Sequence, residues 1–250
     1  DRLPTREETP NFDIGAFLRE LPRAYSNLST VGAVGKTFMY GEVVTSTSAL
    51  MDSNIHLMGV LPDGFTVYGS IQVCGKGRSG NFWVNPIGMM AVSIFNRMSM
   101  EQAQRTPIVF IQYLCSMALI EAIWHYGDGY SEIPVRIKWP NDVYIMLPKF
   151  VERGEHYKSQ KLGRVTSDGE IEATYTKVGG IMVNVNVINR EYCFVVGSGL
   201  DVSNAAPTVS RKSVIECMNR YWGETGQGKH LAQLKIETLL ARYLASFNSM

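Results

Sequence analysis

The chain has 250 residues, 45% of them hydrophobic and 10% aromatic, enough to bury a large core in one compact domain with a small extension at most. Its 24 basic and 23 acidic residues nearly cancel, so the total charge calls for neither nucleic acid nor an anionic membrane as partner, and any basic site must be local. The longest apolar stretch, Pro107 to Ile123, is interrupted by Gln112, Ser116 and Glu121 and is too short and too polar to span a bilayer. Cys74, Cys115, Cys193 and Cys217 form no CxxC pair, and with only four histidines they offer no metal-site spacing. A reducing compartment fits them, with the cytoplasm as the default location.

Taken in chain order, residues 1–35 are polar and turn-rich, with a short helical pattern from Phe17 to Tyr25, and read as an N-terminal extension to a domain over 36–250. Lys36–Val44, Thr66–Cys74, Met89–Phe95, Val135–Ile145, Tyr175–Val187 and Tyr192–Val196 are rich in β-branched and aromatic residues, several with period two, and are expected as strands. In "IMVNVNV" the alternation puts Val183, Val185 and Val187 on one face and Asn184 and Asn186 on the other, the pattern of a sheet packed on one side only. Thr106 is the expected cap of a helix with Pro107 in its first turn and an apolar stripe of Ile111, Leu114, Cys115, Ala118, Ala122 and Ile123. A second helix is expected from Leu231 to Phe247, and the charged, glycine-containing run Pro148–Glu172 as a long surface loop. Helices clustered between groups of strands favour an α+β fold.

Two glycine-rich stretches invite a phosphate-binding reading. "VGAVGKT" imitates a Walker loop, but its first required glycine falls at Thr30 and "FMYGEVV" follows it as a strand rather than a helix. "GKGRSG", Gly75 to Gly80, fits G-x-G-x-x-G, yet Pro86 and Gly88 stand where the helix that holds a pyrophosphate would begin. What remains is a strand followed by a loop whose glycines let backbone N–H groups converge while Lys76 and Arg78 supply positive charge, a device for wrapping an anion, or else a solvated hairpin loop. In "VRIKWPNDV", Lys138 alternates onto the polar face of its strand and can point into a pocket, although a lysine there is as readily solvated. Asn141-Asp142 after Pro140 is turn chemistry. "TSTS", Thr45 to Ser48, offers hydroxyls to a polar ligand head or caps the next element, and Gln72 lies on the polar face of its own strand.

In combination, "GKGRSGNFW", "KWPNDV", "KVGGI" from Lys177 and "GSGLDVSNAAPT" from Gly197 resemble the biotin protein ligase (holocarboxylase synthetase) family, over Tyr40 to Thr208 and with a eukaryotic flavour. The resemblance implies a class II aminoacyl-tRNA synthetase-like fold, a mixed, largely antiparallel sheet backed by helices. It also implies an ATP- and Mg2+-dependent ligase that forms biotinyl-5'-AMP and passes biotin to a lysine on the biotin-carrier domains of biotin-dependent carboxylases. By the same resemblance Arg78 and Lys138 are the expected catalytic cations. Ser46, Thr47, Gln72 and Gly75 join them around biotin, and Lys76, Gly77, Arg78, Trp83, Asn141 and Asp201 are placed around the nucleotide. Asp201 stands where relatives tend to carry asparagine, a carboxylate that would either support Mg2+ or repel the triphosphate. The small C-terminal β-barrel of many relatives is expected to be absent. A lipoate ligase or lipoyl transferase of the same fold, and a biotin-binding module without turnover, stay open as alternatives.

Overall fold

The computed structural model describes residues 2–26, 28, 32–77, 82–148, 162–165, 171–204, 211–226 and 228–250. The elements run α1 (Ile14–Ser26), β1 (Phe38–Val44), α2 (Ala49–Asp52), α3 (Ile55–Val60), β2 (Thr66–Lys76), β3 (Phe82–Asn85), β4 (Met89–Ser99), α4 (Met100–Arg105), α5 (Ile111–Trp124), β5 (Val135–Lys138), β6 (Asp142–Pro148), β7 (Leu162–Val165), β8 (Ile171–Ile188), β9 (Glu191–Asp201), α6 (Arg211–Thr225) and α7 (Ile236–Ser249). The strands form one mixed sheet in the order β1-β2-β4-β9-β8-β6-β5, with β3 on β2 and β7 on β8. The β1–β2 pair is parallel, and the other described pairs are antiparallel.

Alternation along β4 divides the core. Met90, Val92 and Ile94 face α1, α5 and α7 in the larger cluster, while Phe95 on the opposite face joins Met51, Met58, Leu61, Val67, Cys193 and Val195 beneath α2 and α3. The "IMVNVNV" alternation is present and Val183 packs against the larger core, but further along the strand the valine face opens to solvent. Asn184 donates to Asp52 and Asn186 to the Met58 sulfur, so the asparagines are covered by α2 and α3, whereas Val185 and Val187 are 40% and 54% exposed.

The segment before residue 36, expected as an extension, is built into this core. Phe12 and Phe17 are fully buried; the Phe12 ring centre lies 4.5 Å from that of Tyr68 and 5.3 Å from that of Tyr40. Tyr25 on α1 donates to the Val34 carbonyl at 2.8 Å.

Other expectations are adjusted. Thr106 ends α4 by donating its N–H to the Gln102 carbonyl instead of starting α5, and Ser99 and Gln102 form the capping box that opens α4. The stretch expected as one strand over Val135–Ile145 is a hairpin, β5 and β6. The expected loop Pro148–Glu172 contains β7 and the start of β8, which pair with each other; residues 149–161 and 166–170 lie outside the described residues. Among the described residues no helix is long and apolar enough to cross a membrane.

Candidate active site

A cavity of about 440 Å³ opens on the α2–α3 face of the sheet, lined by the turn after β1 and by β2, β3, β4, β6, β8 and β9. Of the residues expected from sequence, Ser46, Thr47, Gln72, Lys76, Gly77, Trp83 and Asn141 line it. Gly75 stands directly behind, where a Cβ would come within 2.3 Å of the Trp83 carbonyl and 3.3 Å of Gln72 Nε2. Arg78 lies outside the described residues.

Two expected residues are not brought to the cavity. Lys138 is exposed at the end of β5, the last strand of the sheet, with its ammonium 5.4 Å from the centre of the Tyr144 ring. In the β5–β6 ladder it stands opposite Asp142, whose side chain does line the cavity. Asp201 is 1% exposed and accepts from Asn204 Nδ2 at 3.3 Å, away from the lining.

A second cation on the lining, besides Lys76, is Lys177, in the "KVGGI" run quoted from sequence but given no role there. Its ammonium is 2.7 Å from Asp142 Oδ1 and 5.7 Å from the Trp83 ring centre. The ladder explains the approach: Asp142 on β6 pairs with Gly180 on β8, and the β6–β8 register shifts between Val143 and Tyr144. The bulge and Gly180 leave room for the lysine to reach across.

Glycines on β9 set the floor. Gly199 pairs with Gly180 and lies under the indole of Trp83, whose Nε1 would be 2.8 Å from a Cβ at that position. That indole N–H is buried and has no hydrogen-bond partner among the described residues. Two residues back along β9, Gly197 pairs with Ser93 on β4. Here the lining is neutral and polar: Ser46 and Ser48 hydroxyls lie 3.1 Å apart, Gln72 Oε1 accepts from the Thr47 N–H at 2.8 Å and from Thr47 Oγ1 at 3.1 Å, and Thr47 Oγ1 is 2.8 Å from Ser93 Oγ. Asn141 is tied to β8 through Nδ2 to the Ile181 carbonyl at 3.0 Å, and the Ile181 N–H returns to the Asn141 carbonyl at 2.9 Å. The cavity thus joins a hydroxyl and amide end near Gly197 to a charged, aromatic end near Gly199.

The model of the biotin/lipoate A/B protein ligase family matches residues 40–201, the stretch that carries every lining residue. The chain belongs to that family. It is 32% identical over 243 residues to the biotin-protein ligase of Schizosaccharomyces pombe, covering 97% of this chain and 34% of that one. It is 28% identical to the human biotin-protein ligase over 84% of this chain and 24% of the human one. The chain therefore spans about a third or less of the length of these relatives. In three dimensions it is similar to the Aquifex aeolicus biotin protein ligase in complex with biotin and ATP, with a TM-score of 0.50 and 19% identity over 86% of this chain and 69% of that one. The Leishmania major biotin protein ligase in complex with biotinyl-5-AMP gives 0.51 and 17% over 86% and 74%. These likenesses bear out the class II synthetase-like α+β architecture.

Proposed function

We propose that the chain activates biotin with ATP as biotinyl-5'-AMP and transfers the biotinyl group to the ε-amine of a lysine on carboxylase carrier domains. The observation that carries this reading is the pairing, in one cavity, of a hydroxyl and amide end suited to a polar ring with a cationic end at Lys76 and Lys177. In the first step a carboxylate oxygen attacks the α-phosphorus and pyrophosphate leaves. Like charges meet, and a fixed ammonium in a sheltered site lowers that barrier. Lys177 takes this role in place of Lys138, since its ammonium already stands among Asp142, Trp83 and Gly180. In the second step the acceptor amine attacks the acyl carbon, AMP leaves and the amine loses a proton. The indole of Trp83 above Gly199 offers a flat surface for adenine.

Mg2+ accompanying the phosphates of ATP would need few protein ligands and would neutralise their charge; Asp142 is the carboxylate on the described lining that would help hold it. The free thiols of Cys74, Cys115 and Cys193 suit the cytoplasm.

The relatives named above support biotin over lipoate, and so does the neutral polar end, which a dithiolane ring would leave without partners. The test is ATP–pyrophosphate exchange with biotin or lipoate, followed by mass spectrometry of an acceptor domain. Exchange with biotin and a biotinylated lysine are expected. Exchange with lipoate alone would move the chain to the other branch of its family, and biotin binding with no transfer would leave a binding module.

A further inference from the structure

We infer that Asp52 is a positioning residue: with Asn184 it forms a latch that holds one wall of the cavity in place, and so sets the affinity for biotin while leaving ATP binding alone; this rests on the biotin reading above. Asn184 Nδ2 donates to Asp52 Oδ2 at 2.5 Å, between residues 132 positions apart in the chain. The bond ties the end of α2 to β8. Backbone hydrogen bonds make the stretch from the "TSTS" turn to Asp52 one piece. The Leu50 N–H donates to the Ser46 carbonyl at 3.1 Å, the Asp52 N–H to the Ser48 carbonyl at 2.9 Å and the Ser53 N–H to the Ala49 carbonyl at 3.2 Å. A displacement at Asp52 is therefore passed back, over one to two helical turns, to Ser46, Thr47 and Ser48, which line the cavity.

Helix α2 has four residues, too few to hold itself, and Ser48 opens it with no side-chain cap bond. The wall depends on what its two ends are tied to. At one end Thr47 is bonded to Gln72 on β2 and lies against Ser93 on β4. At the other, Met51 is buried in the smaller core cluster and Asp52 is bonded to β8. Ser48 lies between them, its Cβ 3.9 Å from where a Cβ on Gly197 of β9 would stand. The turn thus spans the sheet from β2 to β8 across β4 and β9. Asn184 is two residues along β8 from Met182, which lines the cavity, so the latch closes the wall at the cavity's own edge. Burial of Met51 is non-directional, whereas an amide donating to a carboxylate fixes both distance and angle. Trp83, Lys177 and Asp142 at the charged end stand on β3, β8 and β6, which α2 does not carry. Loosening the latch should accordingly be felt at one end of the cavity and not at the other.

The test is the kinetics of ATP–pyrophosphate exchange by the full chain, with biotin and ATP varied separately. Asp52→Ala should raise the KM for biotin about tenfold, the size of one hydrogen bond to a charged group. The KM for ATP and the rate at saturation should stay within about twofold. Exchanging the two side chains gives a readout that mere packing would not move. Asn184→Asp alone sets two carboxylates face to face and should cost more than Asp52→Ala. Adding Asp52→Asn restores an amide–carboxylate bond with donor and acceptor reversed, and should bring the KM for biotin back to within about threefold of the unaltered chain. Absence of rescue, or equal losses for biotin and ATP, would overturn the inference. Thermal midpoints identify a misfolded variant; should Asn184→Asp be one, the two KM values of Asp52→Ala decide. If the unaltered chain shows no biotin-dependent exchange, the functional reading falls, and the latch is read by hydrogen exchange instead. The amides of Leu50, Asp52 and Ser53 should lose protection in Asp52→Ala, and unchanged protection would overturn it.

Discussion

Lys177 and Asp142 reach each other across neighbouring strands, ammonium to carboxylate at 2.7 Å, and together with the Trp83 ring they form the charged end of the cavity. Both side chains are partly open, 38% and 22% exposed, so the ion pair itself adds little to stability. Under the proposed function its importance is to keep a cation where the carboxylate and the phosphate would meet.

Lys177→Met is therefore expected to lower biotin-dependent ATP–pyrophosphate exchange by about a hundredfold or more. Lys138→Ala, altering an exposed residue at the sheet edge, should stay within about twofold. The reverse order of the two effects would return the catalytic role to Lys138.

Gly199→Ala would place a methyl group 2.8 Å from Trp83 Nε1 and push the indole off the floor. Displacing a surface on which a substrate rests costs on the order of tenfold to a hundredfold, read as a higher KM for ATP. Gly223→Ala on α6 is the control, because nothing lies within 4 Å of its added Cβ. An unchanged KM in Gly199→Ala would remove Trp83 from the nucleotide subsite.

Phe12→Ala should destabilise the whole domain by about 3–5 kcal/mol, the cost of a large cavity in a close-packed core. Urea denaturation measures it. A loss below about 1 kcal/mol would mean that the N-terminal segment is only loosely attached.

Alkaline pH should unfold the protein through its buried phenols. Burial pushes Tyr25 from its ordinary value near 10 up to about 12 and raises Tyr68, Tyr126 and Tyr243 as well. The folded state holds these protons more tightly than the unfolded chain, so the stabilisation is complete below about pH 10 and is lost as pH rises through the folded values. Thermal midpoints should fall steadily above pH 10 while phenolate absorbance lags behind that of free tyrosine. Simple titration at pH 10 with no change in midpoint would contradict the burial.

The strands were legible because their side chains alternate, and the cavity residues of the "TSTS" turn, Gln72, Lys76 and Trp83 were legible as a motif. The place of Lys177 on the lining was not, since alternation says which face a residue takes but not whether that face meets a pocket or solvent. Ser93 sits inside the run "MMAVSIF", which reads as core; only the fold brings it to the cavity lining beside Thr47. Helix α6 was missed although Ile215, Met218 and Trp222 recur at helical spacing, because polar and charged residues dilute the pattern between them. The N-terminal segment reads as an extension from its polarity, while two phenylalanines decide its place in the core.

The cavity walls come from strands far apart in the chain, with β2 and β9 separated by more than a hundred residues. Under the proposed function a partial fold would therefore lack part of the biotin site, and binding energy would be available only to the finished structure. Saturating ligand should then act as a chemical chaperone, shifting the population toward the native form by mass action. Supplementing an expression culture with biotin would be expected to improve the yield of folded protein, and most of all for weakened variants.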